Sequence, residues 1–513
     1  MAGSEQREAI DFLSRGASFG LPDEAPRRID THISIVFLIG ERVFKMKRAL
    51  KLSFLDYSTL AERERLCRAE FELNRRTAPA LYRAVRRLTR AANGGIEWDG
   101  AGDLVEPVLE MARFADDALF DHLATAGKLD AALMVELGDI IAEFHASAAA
   151  APSFGGSAGI AAVIADDHAN LRAGCPPLDR DTVDALRRAE EEALAKQKAL
   201  LDARQRQGKV RRCHGDLHLR NICLFENKPT LFDCIEFSDD IACIDTLFDL
   251  AFLLMDLEHR SLRGLGNVLF NRYLDRSNEA AGLAALPLLL SVRAGIRAKV
   301  AVAALHVQKD PAEHEHAADE ARAYLDLALR LLQPASPRLV AIGGLSGSGK
   351  STVAAGLAGD FAPAPGARHL RSDILRKTMM QVAPETRLPP SAYTQDVSER
   401  VYRTMRAQAT AALAAGYSVI ADATFIDAGE RAAIAEVARQ AGLPFAGLWL
   451  TAPDAVLLDH VAKRRGDSSD ADRAVLEQQL KADLGAMNWR KVDVSGDAGA
   501  ALAAGRAALA IRS

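Results

Sequence analysis

The rhythm of apolar and polar positions changes along the chain. Ile33–Ile39 and Arg42–Lys47 are β-rich runs around Gly40-Glu41, which predicts a hairpin. Ser58–Arg76 switches to helical spacing, with Leu66, Ala69 and Leu73 on one face. Val210–Glu236 predicts two short strands around a polar loop, and Asp245–Leu332 is mostly helical. A small β-rich lobe is thus followed by a larger helical one. After Arg338 the pattern alternates: strands at Leu339–Gly343, His369–Leu370, Ser418–Ala421 and Phe445–Leu450, helices from Lys350, at Ser398–Ala415 and at Ala428–Ala441. Strands separated by helices predict a doubly wound parallel sheet.

With 513 residues the chain is too long for one core. The proline-containing segment Gln333–Arg338 follows the helical pattern of Glu313–Leu332 and precedes an apolar strand. It divides the chain into residues 1–335, with a small lobe at about 30–110 and a helical lobe at about 111–332, and residues 338–513. Ser147–Gly159 reads as an internal loop. The expected fold is α/β plus α+β.

A net charge of −5 gives no global pull toward nucleic acid or an anionic membrane. The N-terminus carries charges where a leader needs an apolar core, and no apolar run approaches the roughly 18 residues of a membrane span. A cytoplasmic protein without a membrane partner is the expectation. Six cysteines, with no CxxC pair, read as free thiols. Four of them lie between 213 and 243 near His214 and His218. Their spacing matches none of the usual zinc patterns, and apolar neighbours suit buried packing better.

Gly344-Leu345-Ser346-Gly347-Ser348-Gly349-Lys350-Ser351 fits G-x-x-x-x-G-K-[ST], between an apolar strand and the helical run that begins with Thr352. The glycines let backbone N–H groups converge on an anion, and the helix N-terminus adds positive partial charge. Residues Gly344 to Thr352 are therefore expected to bind ATP phosphates. Lys350 would reach the β and γ phosphates and the Ser351 hydroxyl would hold Mg²⁺. About twenty residues on, Asp373 in Arg371-Ser-Asp-Ile-Leu-Arg376 would face the γ-phosphate as a proton acceptor, or cap its helix. Asp422 follows a buried strand, where it would orient Mg²⁺ or the acceptor. Lys463–Arg473 has the character of a lid bearing arginines.

These four segments resemble the small P-loop kinases of the polynucleotide kinase and zeta-toxin type, over roughly Arg338–Ser513. The resemblance implies Asp373 as general base, Arg376 as an acceptor or phosphate contact, and Arg464 or Arg473 as the lid arginine.

His214-Gly-Asp216-Leu-His218-Leu-Arg-Asn221, followed by Thr230-Leu-Phe-Asp233-Cys-Ile-Glu236, is a second constellation. Phosphoryl transfer needs a carboxylate near the acceptor hydroxyl and oxygen ligands for Mg²⁺. Asp216 suits the first role, Asn221 and Asp233 the second. The arrangement resembles the aminoglycoside phosphotransferase family, over about residues 30–330. The resemblance implies a bilobal kinase-like fold, with the α and β phosphates on Lys45 of Arg42–Lys47 and with Glu70 as its partner. Lys47 points to the same side of the strand as Lys45, and Glu72 is the alternative to Glu70. Asp249 would brace the catalytic loop. The sequence departs from kinases in having no G-x-G-x-x-G before Lys45.

The whole chain resembles two-domain bacterial proteins that fuse these two modules. The expected activity is ATP-dependent phosphotransfer at two sites, each using ATP and Mg²⁺ and a hydroxyl of a small-molecule acceptor. The alternatives are an ATPase or nucleotide-gated regulator with one non-catalytic domain, and a nucleic-acid 5′-hydroxyl kinase in the C-terminal half. With 6% aromatic residues, a small metabolite is favoured over nucleic acid.

Overall fold

The computed structural model describes residues 6–52, 55–277, 279–305, 310–463 and 469–511. It divides into two compact units: Met1–Ala162 with Leu201–Asp256, and Val163–Leu200 with Leu257–Ser513. The segment Gln333–Arg338 therefore lies inside the second unit.

The first unit is built on a six-stranded antiparallel sheet. Its strand order is Arg27–Asp30, Ser34–Ile39, Arg42–Lys47, Leu104–Ala112, Tyr82–Arg90, Ile96–Trp98. Ile39 pairs with Arg42, so Gly40-Glu41 is a two-residue hairpin turn, and Gly40 takes φ 51° at its first position. The helix Leu60–Asn74 begins where the Thr59 hydroxyl accepts the Glu62 N–H at 3.2 Å. Its buried stripe is Arg63, Leu66, Cys67, Glu70 and Asn74, which places Glu70 inward; Glu72 falls outside it. Val210–Arg212 pairs with Cys243–Asp245, and Ile222–Phe225 forms a hairpin with Lys228–Leu231 through Glu226 and Asn227, both at positive φ. The polar loops 213–221 and 232–242 are held between these short ladders.

The second unit holds a five-stranded parallel sheet in the order Arg368–Arg371, Val419–Asp422, Leu339–Gly344, Phe445–Thr451, Arg490–Asp493. Four strands and their helices match the alternation read from sequence to within a few residues. The fifth, an edge strand with mostly exposed residues, carries no apolar run that would reveal it. The central strand is buried along its whole length, as expected for a parallel strand covered on both faces. Its core includes Val340, Ile342, Val353, Leu357, Ile420 and Leu448. Among the described residues no helix is long and apolar enough to cross a membrane.

Candidate active sites

In the first unit, strand Arg42–Lys47 sends two lysines to one side. Lys45 Nζ lies 2.8 Å from Glu70 Oε1 and 2.5 Å from Asp233 Oδ1. Lys47 Nζ lies 2.6 Å from Glu70 Oε2 and 3.1 Å from the Tyr57 hydroxyl, and it also bonds Glu236. Tyr57 donates to Glu236 at 2.5 Å. The two lysines therefore differ in role. Lys45 faces Asp233, while Lys47 is 3% exposed and closed inside an ionic cluster. Burial works against the charge on Lys45, but Asp233 and Glu70 overcome it and hold its pKa well above the ordinary value. Burial likewise opposes ionised Glu70, and the two lysines hold its carboxyl below the usual range.

Asp233 sits at φ 61°, a left-handed conformation that aspartate tolerates better than most residues. Its N–H donates to the Tyr82 hydroxyl at 3.1 Å, which fixes the turn that aims the carboxylate at Lys45. In the loop 213–221, Asn221 Nδ2 donates to Asp216 Oδ2 at 2.8 Å and to its backbone carbonyl at 2.9 Å. His218 Nδ1 accepts the Arg220 N–H at 3.2 Å, which leaves a neutral ring its proton on Nε2, 3.3 Å from Asp216 Oδ2. Nothing in the sequence signals this contact.

Asp249 braces the loop as expected. Its Oδ2 accepts the His214 N–H at 3.0 Å and its Oδ1 the Gly215 N–H at 2.9 Å, with full burial. His145, invisible to motif reading, adds a 3.1 Å contact from Nε2. His145, Cys213 and Asp249 form a buried group whose ligand-type atoms lie within 4.8 Å of one another. The loop amides already occupy both Asp249 oxygens. Cys223, Cys234 and Cys243 are free and buried; Cys223 packs in an apolar cluster, while Cys234 and Cys243 each lie 3.8 Å from an arginine, Arg76 and Arg212.

For Mg²⁺ the donor set here is chemically suitable. Asn221 turns its Nδ2 to Asp216, which directs its amide oxygen elsewhere, and Asp233 is 42% exposed. A neutral amide oxygen and a carboxylate are hard oxygen donors of the kind Mg²⁺ takes.

The second site lines a cleft of about 1200 Å³ in the second unit, formed by residues Ser346–Val353 with Asp373, Asp422 and others. Gly347 and Gly349 take φ 85° and 72°, and a Cβ on Gly347 would lie 2.6 Å from the Leu457 carbonyl. Lys350 opens the helix Lys350–Ala358 and folds its Nζ back to the Leu345 carbonyl at 3.0 Å, inside the arch of the loop. His460 donates from Nδ1 to the Gly347 carbonyl at 2.9 Å, and Gln479 accepts the Ser346 N–H at 2.9 Å. Ser351 lies in the first helical turn, on the same cleft as Asp422. A hydroxyl and a carboxylate again fit Mg²⁺.

Asp373 is the second residue of helix Ser372–Met379, whose N-cap is Arg371, so it lies inside the helix and is not its cap. It is half-buried in the cleft, and desolvation and the neighbouring Asp422 push its pKa up. Burial raises Asp422 too, but His369, with Nε2 at 3.1 Å, outweighs it with help from Arg371 and Lys350. Two carboxylates of one cleft are thereby driven apart, the pattern of a proton acceptor beside a fixed anion. Arg376 donates to the Ala392 carbonyl at 2.7 Å and to Ser398 Oγ at 3.3 Å, and its guanidinium lies 4.8 Å from the Tyr393 ring centre. Arg473 is 76% exposed and paired with Glu477 at 2.8 Å. Arg464 lies outside the described residues.

Residues 54–286 match the phosphotransferase enzyme family, and residues 339–482 match the AAA domain. Over 450 residues the chain is 31% identical to an uncharacterised protein of Mycobacterium tuberculosis (strain H37Rv), covering 86% of this chain and 87% of that protein. An uncharacterised Mycobacterium bovis protein matches to the same extent, 31% over 450 residues. Among solved structures, a choline/ethanolamine kinase family protein from Mesorhizobium loti shares 15% identity, over 64% of this chain and 99% of that one, with TM-score 0.40. A gluconokinase from Sinorhizobium meliloti shares 21% identity, over 35% of this chain and 94% of that one, with TM-score 0.26.

Proposed function

We propose, from the premise that this chain belongs to the family of the two mycobacterial proteins and joins a phosphotransferase segment to a P-loop segment, that it is a bifunctional kinase. Each site binds Mg-ATP and moves the γ-phosphoryl group to a hydroxyl of a small-molecule acceptor. The observation that carries the reading is Lys45 Nζ, held at 2.8 Å from Glu70 and 2.5 Å from Asp233. A lysine fixed between a helix carboxylate and a metal-type aspartate is the phosphate-holding arrangement of kinases.

In the first site Lys45 binds the α and β phosphates. Asp216 accepts the acceptor's proton as the acceptor oxygen bonds to the γ-phosphorus and the bond to the β–γ bridging oxygen breaks, releasing ADP. Asn221 and His218 fix the carboxylate for that transfer. In the second site Lys350 and the loop amides bind the phosphates, and Asp373 takes the proton. Asn221 and Asp233 in one site, and Ser351 with Asp422 in the other, would hold Mg²⁺, which would neutralise phosphate charge. The lid arginine of the second site is Arg473 or Arg464. A cytoplasmic location and a metabolite acceptor belong to the same proposal.

The alternative, a nucleotide-gated regulator with a non-catalytic first site, draws on the absence of G-x-G-x-x-G before Lys45. Equilibrium binding of labelled ATP with Mg²⁺ tests the premise of two sites. The proposal expects two nucleotides per chain, one in Lys350→Ala and one in Lys45→Ala. A single nucleotide in the wild type, abolished by Lys350→Ala, would leave only the P-loop site.

A further inference from the structure

Strand Arg368–Arg371 is an edge of the parallel sheet, with no strand on its outer side among the described residues, yet its outer backbone groups are paired. Asn271, on the helix Arg263–Arg276, accepts the His369 N–H through Oδ1 at 2.8 Å and donates from Nδ2 to the Ala367 carbonyl at 3.1 Å. One side-chain amide thus makes the two hydrogen bonds that a neighbouring strand would make. Asn267, one turn earlier, donates to the same carbonyl at 3.0 Å. Asp275, one turn later, pairs with Arg368 at 2.6 Å, and Arg368 also donates to Asn271 Oδ1 at 2.9 Å. Asn267, Asn271 and Arg368 are all buried, so these bonds face no water competition.

The same helix closes on the P-loop helix. A Cβ on Gly359, the C-cap of Lys350–Ala358, would lie 3.1 Å from Gly264 Cα, so the two backbones are in direct contact. Gly366 takes φ 118°, where a Cβ would lie 2.7 Å from Asn267 Nδ2. The helix is therefore fitted to the helix that carries Lys350 and to the strand that leads into Asp373. Strand Arg368–Arg371 runs straight into Asp373, and its His369 holds Asp422.

The residues of this clamp lie within the stretch matched to the phosphotransferase family, 54–286, and outside the P-loop match, which begins at 339. From this we infer that Asn271, with Asp275, is a positioning residue of the P-loop site: the phosphotransferase segment supplies the edge pairing that fixes Asp373 and the His369–Asp422 pair in that cleft. The inference rests on the proposed chemistry of the second site for its kinetic consequence, and on geometry alone for its structural one.

Asn271→Leu fills a similar volume but neither donates nor accepts, so it separates pairing from packing. The test uses the full chain carrying Asp216→Asn, which silences the first site. It reads Lys350-dependent phosphate release from Mg-ATP, and hydrogen–deuterium exchange of the peptides 366–373 and 344–352. Asn271→Leu is expected to speed exchange at 366–373 and leave 344–352 unchanged. It should lower kcat by ~10–100-fold with KM for ATP unchanged, the cost of misplacing a reacting group by about an ångström. Asp275→Asn, a milder change, is expected to shift both readouts the same way by less, and it serves where Asn271→Leu does not fold. Unchanged exchange at 366–373, or a rise shared by 344–352 with loss of ATP affinity, would overturn the inference in favour of general packing. If the parent chain releases no phosphate, the proposed chemistry of that site fails, and the exchange result alone decides the clamp.

Discussion

Lys47 and Glu70 meet in the interior of the first unit at 2.6 Å, and Lys45 takes the other Glu70 oxygen at 2.8 Å. One carboxylate thus serves two lysines with different tasks. In a Lys350→Ala background, Lys45→Met is expected to lower the first site's ATP turnover by at least ~100-fold with little change in melting temperature. Lys47→Met leaves buried Glu236 without its cation and should cost about 3–5 kcal/mol of stability. Thermal melts and kinetics of the two variants side by side check this; equal effects on both readouts would contradict the division of roles.

Asp249 accepts two consecutive amides of the catalytic loop, at 3.0 and 2.9 Å. Asp249→Asn turns an NH₂ toward one of them and leaves a buried N–H unsatisfied, a loss of about 1–3 kcal/mol. Turnover at the first site should fall about tenfold or more with nucleotide affinity retained, because the loop carrying Asp216 loses its brace. Kinetics paired with nucleotide titration measure it.

Glu190, in the second unit, is buried against Ser291, and burial raises its pKa to about 8, with Asp167 adding to the effect. A carboxyl whose folded pKa is raised favours the fold while it is protonated. That stability is fully present below the unfolded pKa of about 4.5 and is lost as pH climbs to about 8. The melting temperature of the wild type should therefore fall between pH 5 and pH 8. Glu190→Gln, which keeps the shape without the charge, should flatten that slope; a slope unchanged by the substitution would exclude Glu190 as its source.

Asp373 follows the same sign in the cleft of the second unit. Desolvation and the charge on Asp422 raise its pKa, so at pH 7 its ionised form costs stability. Asp373→Asn should raise the melting temperature at pH 7 while abolishing transfer at the second site, the signature of a group kept for chemistry. Calorimetry at pH 7 together with a transfer assay gives both values.

Local motifs carried most of what the sequence reveals. The phosphate loop and the catalytic loop are each contiguous, so their chemistry is visible without a fold. The alternation of strand Arg42–Lys47 puts Lys45 and Lys47 on one side, and only tertiary structure shows that Lys45 alone meets Asp233. Glu236, Tyr57 and His145 escape notice because their partners are distant: Lys47 and Glu236 are 189 residues apart, His145 and Asp249 104. Asn271 is a single polar residue in a helix, and nothing in the sequence links it to a strand 98 residues on. Spacing within one element is legible; pairing between elements is not.

The central claim is phosphoryl transfer at two sites. Purified full-length protein should be incubated with γ-labelled ATP, Mg²⁺ and a mixed metabolite extract, beside Asp216→Asn and Lys350→Ala. The account predicts label in two classes of hydroxyl-bearing acceptor, one lost in each variant and both lost in the double variant. Label found only in free phosphate would contradict it.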